Sequence, residues 1–150
     1  MSPHISLPDS VILAQATEED IQACAEVVTQ SYLPEAICPF LFTDWPNSTA
    51  AFSFFYERLQ KKILDPNSEI FKLTSAASGQ VVGCVCMTLS TGEEVEGRNP
   101  IDLDSSAGPP SGINLEFAAR TVVKLDKIEK LMAGKKHYSL FPYLYRLHLD

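Results

Sequence analysis

Apolar positions along the chain fall into a few short periodic stretches. Val11-Ile12-Leu13-Ala14-Gln15 is an apolar run of strand length. Thr17-Glu18-Glu19-Asp20 then offers an N-cap and an acidic first turn, and Ile21, Cys24, Ala25 and Val28 follow at i, i+3, i+4 and i+7. That spacing predicts an amphipathic helix ending near Ser31 or Tyr32. Phe52, Phe55, Leu59 and Ile63 mark a second helical face, starting at Asn47 or Ser48 and stopped by Asp65-Pro66-Asn67, with Lys61 and Lys62 where the helix dipole favours cations. Phe71 and Leu73 alternate with Lys72 and Thr74, which predicts a half-exposed strand over 69–75. After the turn Ser78-Gly79-Gln80, residues 81–89 are apolar on both faces, as expected of a strand in the middle of a sheet, and the two strands form an antiparallel hairpin. Leu115, Ala118, Val122, Leu125, Ile128 and Met132 give a third helix, capped by Ser111 or Asn114 and closed by Gly134, with Glu116–Arg120 and Asp126–Lys130 as i,i+4 ion pairs. Residues 137–149 are dense in aromatics and leucines and start as a strand, which Pro142 interrupts.

Three stretches lack this periodicity. Residues 1–10 form a flexible leader, and 11–150 are read as a single domain. Residues 33–47 hold Pro34, Pro39 and Pro46 among Ile37, Phe40, Leu41, Phe42 and Trp45, an apolar loop that either tucks onto the core or forms a pocket wall. Residues 92–112 contain four glycines, three prolines, three glutamates and two aspartates with Arg98 as the single basic residue, and they are read as an acidic surface insertion. The fold class this order defines is α/β in the broad sense, more narrowly α+β, with a mainly antiparallel sheet and flanking helices.

Composition narrows the function classes. With 150 residues, 45% of them hydrophobic, the chain can build a core without a metal or a disulfide framework. The net charge of −7 opposes attraction to a polyphosphate backbone, so nucleic acid is not expected as a partner. The longest apolar run is far short of the roughly 18 residues needed to cross a bilayer, so no membrane partner is expected either. Cys24, Cys38, Cys84 and Cys86 show no Cys-x-x-Cys spacing and read as buried, reduced thiols, which places the protein in the cytoplasm and predicts no metal.

Taken in order, these local sequences resemble the N-terminal part of a GNAT superfamily N-acetyltransferase of the fungal type. Ile12-Leu13-Ala14-Gln15-Ala16-Thr17-Glu18-Glu19-Asp20 looks like the family's first strand running into its "A-T-x-x-D" helix start. Val81-Val82-Gly83-Cys84-Val85 is similar to the "xVVGxxxW" third strand, and the stretch from Asn114-Leu115-Glu116-Phe117 to Lys135-Lys136-His137-Tyr138 to the helix before the fourth strand. The resemblance covers about residues 11–140. It implies transfer of acetyl from the co-substrate acetyl-CoA to a primary amine on a small molecule or peptide. The backbone of the presumed fourth strand, at Tyr138, Ser139 and Leu140, would meet the cofactor. The family's Q/R-x-x-G-x-G/A loop, which holds the pyrophosphate at a helix N-terminus, has no counterpart here, since no glycine follows Gly134. The resemblance therefore implies a sheet that is incomplete at its C-terminal end and impaired or absent turnover. The alternative is a non-catalytic module that docks a partner or self-associates through an open sheet edge, at 81–89 or 137–149.

No catalytic residue is identifiable from the sequence. Phe42 and Trp45 are candidates for lining an amine pocket, against ordinary core or lid packing. Glu116 reads as a structural partner of Arg120, His137 as an exposed histidine that could serve as a base, and Glu93, Glu94 and Glu96 as a patch that could steer a cationic amine.

Overall fold

The computed structural model describes residues 10–90, 111–121 and 137–141. Residues 1–9 of the leader, the glutamates of the acidic insertion, the stretch 122–136 with the Asp126–Lys130 pair and Gly134, and everything after Phe141 lie outside the described residues. Strand β1 is Val11–Gln15. A 3-10 turn at Glu18–Asp20 leads into α1, Ile21–Tyr32. The turn is set by its own sequence, because the Asp20 carboxylate accepts both the Thr17 N–H (2.8 Å) and the Thr17 hydroxyl (2.9 Å). Helix α2 is Cys38–Leu41 and α3 is Thr49–Ile63. Strands β2, Ser68–Ser75, and β3, Val81–Ser90, form the expected hairpin around Gly79, whose φ of +71° only glycine adopts without strain. Helix α4, described at 115–121, precedes β4, His137–Phe141.

The sheet runs in the order β1-β2-β3-β4, with every described neighbour antiparallel. This is an α+β arrangement, and β3 sits inside the sheet as its two apolar faces require. Among the described residues the edges are β1 and β4. An open edge at 81–89 is therefore overturned: both sides of that strand carry ladders, to β2 and to β4. Leu73 pairs with Gly83 but Thr74 with Val81, so Val82 is the extra residue of a bulge near the hairpin turn.

Helices α1 and α3 pack against each other and onto one face of this sheet, α1 over β3 and α3 over β2. Alternation puts Ile70, Cys84, Cys86 and Thr88 on that face, where they are buried. Cys24, Ala25 and Val28 from α1 and Ala51, Phe55 and Leu59 from α3 complete the core. Burying a side chain the size of Leu59 or Ile70 contributes about 1.5–3 kcal/mol each. All four cysteines are buried and unbridged, as their small apolar character suggests. The opposite face carries Phe71, Leu73, Val85, Met87 and Leu89, each half-buried.

The segment at 33–47 is not a plain loop. Pro39 sits in the first turn of α2, where its missing N–H costs nothing, and the Cys38 thiol donates to the Tyr32 carbonyl (2.9 Å), folding this helix back on α1. Four residues are too few to display a 3.6-residue period, so the pattern that revealed α1 and α3 could not reveal α2.

Candidate functional site

Two regions carry the residues nominated by the sequence: the 33–47 segment and β4. In the first, Phe42 forms an isolated antiparallel bridge with Ile113. The Thr43 N–H donates to the Gly112 carbonyl (2.9 Å) and the Asn114 N–H to the Leu41 carbonyl (2.8 Å), so residues 41–43 and 112–114 are laced together. Only 1% of the Phe42 surface is exposed, and its ring meets Phe54 and Phe55 edge-on at 6.0 and 6.2 Å. Phe42 is thus a core residue that anchors the segment, and it presents no surface to a ligand. Trp45 is different: it is 43% exposed, and its indole N–H donates to the Leu33 carbonyl (3.1 Å), which holds the ring across the base of the segment. The Trp45–Pro46 peptide bond is cis. Phe40, also exposed, stacks on Phe117 of α4 at 5.9 Å.

Asp44 is a residue the sequence reading passed over. Its Oδ2 accepts the Ala50 N–H (3.1 Å) and so satisfies one of the unpaired donors at the start of α3, where a carboxylate is favoured by the helix dipole. Ser48, in the N-cap position, makes no side-chain cap. The other oxygen, Oδ1, is enclosed and has no hydrogen-bond partner. The cap comes from six residues upstream of Ala50, beyond the reach of any local capping pattern.

Strand β4 brings Tyr138, Ser139 and Leu140 to a sheet edge, paired with Leu89, Thr88 and Met87 in turn. Antiparallel ladders alternate which residues bond to which neighbour. The Leu89 N–H donates to the Asn67 carbonyl on the β2 side (2.8 Å), so Leu89 and Met87 turn toward β2, whereas Thr88 turns toward β4. Ser139 therefore spends its backbone groups on Thr88. The backbone N–H and C=O groups of Tyr138 and Leu140 face outward. Of the three nominated residues, two present a row of donors and acceptors that nothing pairs with among the described residues, and the third does not.

Elsewhere the chemistry is structural. Lys62 donates to the Thr88 hydroxyl (3.0 Å), Thr88 and Ser68 share a hydrogen bond (2.8 Å), and Ser68 donates to Asp65 (2.8 Å), tying the end of α3 to the hairpin. Burial pushes the Asp65 carboxyl up, but the Asn67 N–H, the Ser68 hydroxyl and Lys62 together hold it below the usual range. Asp20 is held low chiefly by its ion pair with Lys72. The neighbouring Cys24 thiol, together with burial, drives the Cys84 thiol far up, and burial raises Cys38 and Cys86. None of these thiols reaches solvent, so none can act as a nucleophile on a bound substrate. Glu116 pairs with Arg120 at 2.7 Å on an exposed face of α4. His137 opens β4 opposite Ser90. A cleft of about 570 Å³ lies between the 3-10 turn and the end of α3, walled by Glu18, Glu57, Gln60 and Lys61 over Ile21 and Ile63. Its lining has no histidine, thiol or hydroxyl, and no nominated residue reaches it. Among the described residues no group of three or more His, Cys, Asp or Glu is placed to hold a metal ion, and no helix is long and apolar enough to cross a membrane.

No family model matches this chain, and neither a curated protein nor a solved structure matches it.

Proposed function

We propose that the chain is an acetyltransferase-like domain of the GNAT type, which takes acetyl-CoA as co-substrate and a primary amine as acceptor, with weak cofactor binding. The observation that carries this reading is the sheet itself: two main helices between β1 and β2, a β2–β3 hairpin, and β4 at the edge with the backbone of Tyr138 and Leu140 turned outward. An extended pantetheine arm is a chain of amides. It pairs with an outward row of N–H and C=O groups as a further strand would, and an outward N–H is the donor that a thioester oxygen needs as charge develops on it. Trp45 is an exposed aromatic of the 33–47 segment whose ring, unlike that of Phe40, is not stacked on Phe117, and we assign it to cover an acceptor amine. The weak affinity proposed is that of these 150 residues taken alone, which hold no Q/R-x-x-G-x-G/A loop for the pyrophosphate. A cytoplasmic location, where acetyl-CoA and reduced thiols coexist, fits the same reading.

Calorimetric melting of the whole chain with and without acetyl-CoA tests this. A ligand that binds only the folded state at ten times its Kd adds about 1.4 kcal/mol, an upward shift of roughly 3–6 °C for a domain of this size. Leu140→Pro, which removes one outward N–H and no β3 ladder bond, should abolish the shift. A melting temperature unmoved by millimolar acetyl-CoA would overturn the proposal.

A further inference from the structure

The other edge of the sheet, β1, has its own chemistry, which does not depend on the acyl-transfer reading. Ala16 donates its N–H to the Ile70 carbonyl (2.8 Å) and Ser10 accepts the Ala76 N–H (2.7 Å). Even-numbered residues of this strand thus bond to β2, and by the alternation of an antiparallel ladder Val11, Leu13 and Gln15 turn their backbone N–H and C=O groups away from the sheet. Among the described residues nothing pairs with this row.

Natural edge strands are blunted by a lysine, a proline, a bulge or a charge pointing inward. Val11–Gln15 has none of these: the five residues carry no charge and no proline, and their register with β2 runs unbroken from Val11↔Ser75 to Gln15↔Phe71. Ile12 and Leu13, on opposite faces, are 57% and 59% exposed. The strand therefore offers unpaired backbone groups together with apolar surface above and below them.

We propose that β1 pairs antiparallel with β1 of a second copy of this chain, with the twofold axis at Leu13. In that register Leu13 meets Leu13 of the second copy, and Val11 meets Gln15 at each end. All three are ladder pairs that exchange both N–H···O=C bonds, so every outward group of the strand is used. On the Leu13 face the two leucines cover each other; on the other face Ile12 lies opposite Ala14, a large side chain against a small one. A second copy fits better than a charged peptide, because the edge has no charge with which to select one. The two sheets become one continuous sheet across the axis.

Sedimentation equilibrium on the full chain provides the test. The expected result is a monomer–dimer equilibrium that tightens as salt is raised, since each copy carries −7 and salt screens that repulsion without touching the neutral strand. Leu13→Pro deletes the central outward N–H yet no bond to β2, and Leu13→Lys sets two ammonium groups side by side on the axis; each should weaken dimerisation by at least about tenfold. Melting of both variants checks that the fold is retained, and if the proline variant does not fold, the lysine variant decides. A chain that stays monomeric at the highest soluble concentration overturns the proposal. A dimer indifferent to folded Leu13 variants also overturns it, and would point to β4.

Discussion

A methyl group on Gly112 would stand 2.4 Å from the Cβ of Ala50, on a backbone whose φ is +80°. Gly79 has a similar φ, +71°, but open space where its Cβ would be. The pair separates two costs that are usually confounded, left-handed backbone and steric overlap. Gly79→Ala should cost about 1–2 kcal/mol, for the backbone alone. Gly112→Ala should cost about 2–4 kcal/mol, because overpacking against α3 is added. Urea unfolding of the two variants beside the parent checks the order; equal losses would mean that Ala50 yields. In the sequence both glycines read as turn or loop residues, and nothing local distinguishes them. Gly112 is special because Ala50, sixty-two positions earlier, is packed against it. Phe42 shows the same limit. Beside Trp45 in an apolar segment it looked equally able to line a pocket, yet bridging to Ile113 drew one ring into the core and left the other exposed.

At the scale of elements, local pattern carried far. The starts and stops of α1 and α3, the hairpin and the Asn114 cap of α4, where Asn114 Oδ1 accepts the Phe117 N–H at 3.2 Å, all follow from residues within one or two turns. What joins elements does not. Asp20 serves both roles, closing the turn before α1 with one oxygen and pairing with Lys72 of β2 at 2.5 Å with the other. Its depressed pKa means that the unfolded chain takes up a proton before the native state does. The contribution of Asp20 is therefore complete above the ordinary value near 3.8 and is lost as pH falls through the lower folded value; Asp65 acts in the same sense. Asp20→Asn should lower stability at pH 7 by about 1–3 kcal/mol and lessen its fall between pH 5 and 2, read by denaturant unfolding across that range. An acid limb as steep as the parent's would show that Asp20 does not carry it.

Across the whole molecule, burial decides reactivity. All four thiols are buried in the apolar core, where a bulky aromatic disulfide reagent has no path to them. The native chain should liberate almost none of the reagent's aromatic thiolate over minutes, whereas in guanidinium all four protein thiols should form mixed disulfides with the reagent and liberate one aromatic thiolate each. Fast labelling of Cys24 in the native state would mean that α1 opens readily from β3.

The sequence by itself determined the stretches that form α1, α3, β1, β2 and β3, the α+β class and the burial of the thiols. Each of these depends on side-chain period or apolar content over a few consecutive residues. The tertiary structure alone decided the strand order and its edges, the α2 turn, the Asp44 cap, the burial of Phe42 and which backbone groups of β1 and β4 face outward. The α2 turn and the Asp44 cap each join residues six apart, too short a span to show a period; the others depend on which distant segments meet, and a pairing between residues tens of positions apart leaves no periodic trace in either of them.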